Sequence, residues 1–205
     1  KIIKGVDSMI NETINYYNNN ADEYCKQTQD VKFSDNRNML LKYLRKGAHI
    51  LDLGCGSGRD SKAFLELGYD VTLIDGSLEM CRQASKLTGQ KAICKEFMDI
   101  EYVNEFDYVW ACASLLHIPS GELEDVLYKV FEALKSGGYF YLTFKYGEFE
   151  GMRNGRFFND MTEKKFHEII KKYRYFKVIE TNVTSDARED RKNEKWLNII
   201  LKADK

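Results

Sequence analysis

Asp52-Leu53-Gly54-Cys55-Gly56-Ser57-Gly58 sets a glycine at every second position, directly after the apolar run Ile50–Leu53. Glycine has no Cβ, so such a loop lets a nucleoside-bearing ligand lie against bare backbone. A dinucleotide fingerprint needs glycine at position 59 to seat a pyrophosphate on a helix N-terminus, and this chain has Arg59 there. Asp75, which closes the apolar run Val71–Ile74, offers two acceptor oxygens suited to a pair of ribose hydroxyls. Asp99, flanked by Phe97, Met98 and Ile100, reads either as a surface loop acid or as an acceptor for an amino group on a ring held between those apolar neighbours. Met80 reads equally as a cover for the other ring face or as core. His117 titrates near neutrality and reads equally as an acid–base or positioning group and as a structural histidine bonded to a loop carbonyl. Arg153 and Arg156 lie in Phe144–Phe158, read as a long connecting loop rich in glycine and aromatics, and Arg188 and Arg191 follow in a later charged loop. Guanidinium groups match oxyanions bidentately, so these arginines are either an anion clamp or solvated surface charge.

The elements that must hold these groups alternate regularly. Strands are predicted at Ile50–Leu53, Val71–Ile74, Ala92–Cys94, Asp107–Cys112 and Tyr139–Phe144. Helices between them run Ser61–Leu67, with Ala63, Phe64 and Leu67 inward, Ser77–Leu87, and Leu123–Leu134 ending at Gly137-Gly138. Thr162 is an expected helix cap with Met161 and Phe166 stapled across it, and that helix runs to about Lys172. Lys177–Val183 and Trp196–Leu201, joined by a loop rather than a helix, suggest an antiparallel hairpin at the sheet edge. Before all of these, Ile10, Ile14 and Tyr17 keep helical spacing, Ala21–Cys25 begins a further turn after Asn18–Asn20, and Ser34 is placed to cap a helix carrying Leu40, Leu41 and Leu44. The expectation is one α/β domain: a doubly wound, seven-stranded, mostly parallel sheet with its last strand antiparallel, residues 47–205 forming the core and 1–46 a helical lid.

Composition narrows the function. The 205 residues are 43% apolar and 31% charged, with a net charge of −1, so the basic footprint expected of a nucleic-acid or anionic-membrane binder is missing. No apolar run has the length of a membrane span. No secretory leader is visible, and a start at Lys1 leaves the native start open. Five scattered cysteines without a Cys-x-x-Cys pair read as reduced, buried thiols in cytoplasm rather than as disulfides or a zinc site. With three histidines out of ligand spacing, no metal is expected.

The Asp52–Gly58 loop, Asp75 at the end of the second strand and Asp99 after the third resemble the cofactor motifs of class I S-adenosylmethionine-dependent methyltransferases, over nearly all of Ile50–Leu201. More narrowly, Tyr16-Tyr17-Asn18 through Tyr24, Ser57-Gly58-Arg59-Asp60-Ser61, Ser114–Pro119 and Lys145-Tyr146-Gly147 resemble the tellurite-resistance-type enzymes and their small bacterial relatives. The resemblance implies S-adenosylmethionine, left as S-adenosylhomocysteine, held by Tyr16, Tyr24, Asp52, Gly54, Cys55, Gly56, Asp75, Gly76, Ser77, Met80, Met98, Asp99, Ile100, Ala111 and Ser114. Asp52 on this reading orients the loop rather than serving as a base. His117, Tyr146 and Arg156 are the implied catalytic set. Neither the Asn/Asp-Pro-Pro-aromatic element of amino-methylating enzymes of nucleic acid nor a Pro-Cys nucleophile follows the fourth strand, so the expected acceptor is a small molecule: an anion, a thiol or a chalcogen oxyanion. The expected partners include neither nucleic acid nor membrane, and the expected assembly is a monomer or weak homodimer. A catalytically silent cofactor-binding module shares the same glycine loop and acids, and turnover on an acceptor separates the two.

Overall fold

A computed structural model describes residues 8–28, 31, 36–172 and 175–205, with backbone alone at 6–7 and 34–35. The glycine loop has a strand on one side and a helix on the other because apolar β-formers give way to residues that cannot extend a sheet. His49–Leu53 is β1 and Arg59–Glu66 is α3, with Gly58 between them at φ 81°. The same alternation gives β2 (Asp70–Asp75), α4 (Leu78–Thr88), β3 (Ile93–Cys94), β4 (Phe106–Ala111), α5 (Ser120–Ala133) and β5 (Leu134–Lys145). After β5 come β6 (Glu150–Arg153), β7 (Arg156–Asn159), α6 (Glu163–Ile170), β8 (Phe176–Ser185) and β9 (Lys195–Ala203). Two helices, α1 (Val6–Thr28) and α2 (Ser34–Leu41), precede them all.

The main sheet has seven strands in the order β3-β2-β1-β4-β5-β9-β8. Pairing is parallel from β3 to β5; β9 enters antiparallel beside β5 and β8 closes the edge. This is the expected seven-stranded Rossmann-like arrangement, including the inserted antiparallel strand. Strand order reverses between β1 and β4, and in such sheets the crevice beyond that point is where ligands sit. The core follows the sheet faces. On α5, Leu123, Val126, Leu127 and Val130 are buried at helical spacing, each worth roughly 1.5–3 kcal/mol of apolar transfer.

Three details differ from expectation. Leu67 is 58% exposed, because α3 stops at Glu66 and Leu67 only caps it; Phe64 carries the inward contact. The third helix of the alternation does not run to Gly137-Gly138: α5 ends at Ala133, and Leu134 already pairs with Phe106 as the first residue of β5, with the register shifting before Tyr108. The stretch after β5 is not a loop. Asn154 and Gly155, at φ 52° and 76°, form a two-residue turn joining β6 to β7. The proposed Ser34 cap lies outside the described side chains. At Thr162 the cap is present, its hydroxyl accepting from the Lys165 N–H at 3.2 Å, and Met161 and Phe166 are both buried.

Candidate functional site

The glycine loop is held open by backbone bonds. The amides of Gly54 and Cys55 both donate to the Ile74 carbonyl, at 2.8 and 2.9 Å. Gly54 takes φ 81°, and a Cβ there would sit 2.3 Å from the Ser114 Cβ, so this position admits only glycine. Ser114 is itself fixed by a 2.7 Å bond from its hydroxyl to the Leu53 carbonyl. Gly56, at φ 54°, has nothing within 4 Å of where a Cβ would point. Asp75 grips the loop: one carboxylate oxygen accepts the Gly56 N–H at 2.8 Å and the other accepts the Ser77 N–H at 2.9 Å. Each oxygen keeps acceptor capacity for a ligand.

Above this loop lies a cleft with about 1350 Å³ of empty space including its mouth. Its walls bring together Tyr24, Asp52, Gly54, Cys55, Gly56, Asp75, Gly76, Ser77, Met80, Met98, Ser114 and His117 from the expected set. Tyr16, Asp99, Ile100 and Ala111 do not line it. Ile100 and Ala111 are buried in the core behind the wall, and Tyr16 lies against the Arg156 guanidinium at 4.5 Å. Asp99 ends a short 3-10 turn, and it is Phe97, Met98 and Glu96 from that turn which reach the cleft. Met80 packs with Ala21 and Cys25 and also borders the cleft. Tyr146 is exposed, donates to Glu163 at 2.9 Å, and borders only a second, adjoining cleft. Arg191 reaches that second cleft, whereas Arg188 reaches both and is paired bidentately with Asp186.

Buried acids surround the loop. Asp52 is pushed up to about 7, chiefly by burial and then by the nearby Asp60; the Ser61 hydroxyl that donates to it works the other way. Asp60 is held below the usual carboxylate range despite its burial, because Arg59 and Arg37 both pair with it. Cys112 is driven up to about 12 by burial, which disfavours the thiolate a nucleophile needs.

The helical lid α1 covers the cleft from one side. Ile10, Ile14 and Tyr17, spaced as an apolar face, line the cleft rather than a closed core. Two latches hold the helix. The Asn18 side-chain carbonyl accepts the Ser77 hydroxyl at 2.7 Å, and the Thr13 hydroxyl accepts the Phe157 N–H at 2.9 Å. At Asn20 the backbone leaves helical geometry (φ −122°, ψ 16°), which is the break foreseen at Asn18–Asn20.

His117 is locked where lid and hairpin meet. Its Nδ1 lies 2.6 Å from the Phe157 carbonyl, which can only accept, so Nδ1 carries the proton. Nε2 is then the acceptor, and the Tyr17 hydroxyl donates to it at 2.9 Å. Burial, with Arg156 acting in the same direction, depresses the imidazole to about 4, although the Phe157 bond opposes this. The imidazole is therefore neutral at physiological pH. Arg156 Nη1 donates to the Tyr17 oxygen at 3.3 Å. Sequence reasoning missed Tyr17 as the partner of His117. Its signal was the Ile10/Ile14/Tyr17 face, which has a phenol at its end.

Comparison with known proteins agrees with this architecture. Residues 50–138 match the family model described as a methyltransferase domain. A malonyl-[acyl-carrier protein] O-methyltransferase of Salmonella typhimurium is 31% identical over 122 residues, covering 58% of this chain and 47% of that protein. The sterol 24-C-methyltransferase of Schizosaccharomyces pombe is 31% identical over 106 residues, covering 47% of this chain and 28% of that one. The chain thus spans about half or less of the length of these relatives. Among solved structures, a Burkholderia thailandensis 1,6-didemethyltoxoflavin-N1-methyltransferase, bound to 1,6-didemethyltoxoflavin and S-adenosylhomocysteine, superposes with a TM-score of 0.77 at 17% identity, over 94% of this chain and 87% of that one. These likenesses show the Rossmann-like fold of methyltransferase domains, with the matched segment running from β1 to the start of β5. Among the described residues no helix is long and apolar enough to cross a membrane, and no cluster of three metal-ligating side chains occurs.

Proposed function

We propose that this chain is a methyltransferase that uses S-adenosylmethionine to methylate a small-molecule acceptor by in-line displacement. The observation that carries the reading is the Asp75 carboxylate, tied to Gly56 and Ser77 on one side and open to the cleft beyond the strand ends on the other. The residues present fit an adenosyl group. Gly56 presents bare backbone, Asp75 retains acceptor capacity for ribose hydroxyls, and Phe97, Met98 and Ile14 provide apolar walls for a ring. Asp52 and the loop backbone would face the amino-acid end.

Bound S-adenosylmethionine supplies a methyl carbon already activated by its positive sulfur. The chain's own residues then need to orient an acceptor and exclude water. The lid residues Ile10, Ile14 and Tyr17 close the cleft against solvent. His117, neutral and with both nitrogens engaged, positions Tyr17 and the hairpin rather than drawing a proton from the acceptor. Arg156 sets a positive charge beside that pair. The narrower likeness to tellurite-resistance-type enzymes supports a small acceptor and rests on sequence motifs.

Titration calorimetry with S-adenosylhomocysteine tests the cofactor, and release of S-adenosylhomocysteine across an acceptor panel tests the transfer. Asp75→Ala is expected to weaken cofactor binding by roughly 1.5–3 kcal/mol, the worth of hydrogen bonds to a charged acceptor. Wild-type protein without affinity for either cofactor form, or an Asp75→Ala variant with unchanged affinity, refutes the reading.

A further inference from the structure

Two buried side-chain polar atoms among the described residues have no hydrogen-bond partner: Arg156 Nε and Asp160 Oδ1. Buried donors and acceptors are nearly always satisfied, and leaving one unmade is costly, so each such atom calls for an explanation. Both residues border the same space, the second cleft that opens beside His117 and Tyr17. They also share a strand face. Side chains alternate along a strand, so Arg156, Phe158 and the position just past the strand end, Asp160, project to one side of β7. All three line the cleft.

The surroundings of each atom define what would satisfy it. The Arg156 guanidinium is held by the rings of Tyr16, Phe158 and Tyr17, at 4.5, 5.2 and 5.7 Å, and by the Tyr17 hydroxyl. Among the described residues no carboxylate lies within ion-pairing distance of it, whereas Arg153 and Arg188 nearby are paired with Asp160 and Asp186. A guanidinium caged by aromatic faces keeps its charge and its planar donor fork for an incoming oxyanion. Asp160, 6% exposed, engages Arg153 through Oδ2 at 2.8 Å and leaves Oδ1 without a donor. Between the two, the buried Phe158 borders the cleft, with the Arg153 and Arg156 guanidinium groups over its ring at 5.1 and 5.2 Å. An arrangement of caged cation, ring edge and unsatisfied buried acceptor matches a ligand with the opposite sequence of groups.

Resting on the methyltransferase reading, we propose that the second cleft is the acceptor subsite and that it selects a small acid: an anionic oxygen group on Arg156, an apolar middle over Phe158, and an N–H or O–H donor on Asp160. The subsite adjoins the cofactor cleft through Tyr17, Tyr24, His117 and Ala113, which border both.

Calorimetry with three probes separates the parts: 4-hydroxyphenylacetate, which has all three groups; phenylacetate, which lacks the donor; and 4-hydroxyphenylacetamide, which lacks the charge. Each is titrated into protein with and without S-adenosylhomocysteine. The expected order has 4-hydroxyphenylacetate binding about tenfold or more tightly than either of the others, the worth of one charged hydrogen bond. In Arg156→Gln the preference for acid over amide disappears while S-adenosylhomocysteine still binds. In Asp160→Ala the preference for the hydroxylated over the plain acid disappears while the acid–amide preference stays. Equal binding of acid and amide by the wild type, or absence of saturable binding by all three at millimolar concentration, overturns the proposal. Because S-adenosylhomocysteine is titrated separately, loss of the cofactor reading and loss of the acceptor reading give different results.

Discussion

A buried, neutral His117 makes the stability of this protein depend on pH in a defined direction. The imidazole is depressed from 6.5 to about 4, and burial is the main cause. The unfolded chain therefore takes up a proton at a pH where the folded one does not. The stabilisation is fully present above about pH 6.5 and is lost as pH falls towards 4. At 1.36 kcal/mol per unit, the whole gap is worth roughly 3 kcal/mol. At about pH 5, where the unfolded imidazole is largely charged and the buried one is not, roughly 2 kcal/mol of it has gone. The assay is urea unfolding, followed by circular dichroism, of the wild type and His117→Gln at a series of pH values. Subtracting the two curves removes every titrating group they share. The wild type is expected to lose stability relative to the variant by roughly 3 kcal/mol across that range. A difference that stays flat from neutral pH to about 4 would refute the burial argument, because His117 would then titrate as it does in the unfolded chain.

Further perturbations address other parts of the site. Gly54→Ala places a Cβ 2.3 Å from the Ser114 Cβ at a φ of 81°, so thermal melting should show a loss of about 2–4 kcal/mol from overpacking and backbone strain. A melting temperature equal to wild type would contradict the close approach. Asn18→Ala removes the lid bond to the Ser77 hydroxyl. It should cost about 1 kcal/mol and speed hydrogen exchange in α1, and unchanged exchange would show that the latch does not hold the helix. A thiol titration at mildly alkaline pH should find one fast cysteine, Cys94, which is exposed. Cys81 and Cys112 are raised by burial to about 12, and Cys25 and Cys55 are also raised. Rapid modification of Cys112 would mean that the cleft beside it is more open than described.

What could be read in the sequence divides along physical lines. The sheet was legible because apolar runs of β-formers are cut by residues that do not extend a strand, as at Leu53 before Gly54 and Asp75 before Gly76. The antiparallel β9 was legible because β8 and β9 are joined by a charged loop too polar to be a crossover helix. The glycine loop and Asp75 come together as expected because both sit at the ends of neighbouring parallel strands. The hairpin from β6 to β7 was missed, although Asn154-Gly155 is the commonest two-residue turn signal, because the flanking residues are too polar and glycine-rich to alternate cleanly. Asp99 looked like a ligand because of its apolar neighbours. The 3-10 turn rotates those neighbours, Phe97 and Met98, to the cleft and leaves Asp99 out of it. The Tyr17–His117 bond joins residues 100 positions apart, and no local pattern encodes a contact made by a lid folding back over the sheet.

The alternation along β7 divides fastening from choice. At the odd positions, Phe157 gives its backbone N–H to Thr13 and its carbonyl to His117, and Asn159 gives its side-chain amide to the Ile118 carbonyl at 3.0 Å. These bonds hold the hairpin to lid and core. The bonds at Phe157 are backbone bonds that any side chain can supply, so exchange there leaves them in place. The even positions, 156, 158 and 160, are free of those bonds and look into the cleft. A lineage could therefore exchange the even residues, and with them the acceptor, while the bonds at 157 and 159 still hold the hairpin, losing only the Arg156–Tyr17 and Asp160–Arg153 contacts. A library varied at 156, 158 and 160 alone is the economical way to redirect this scaffold.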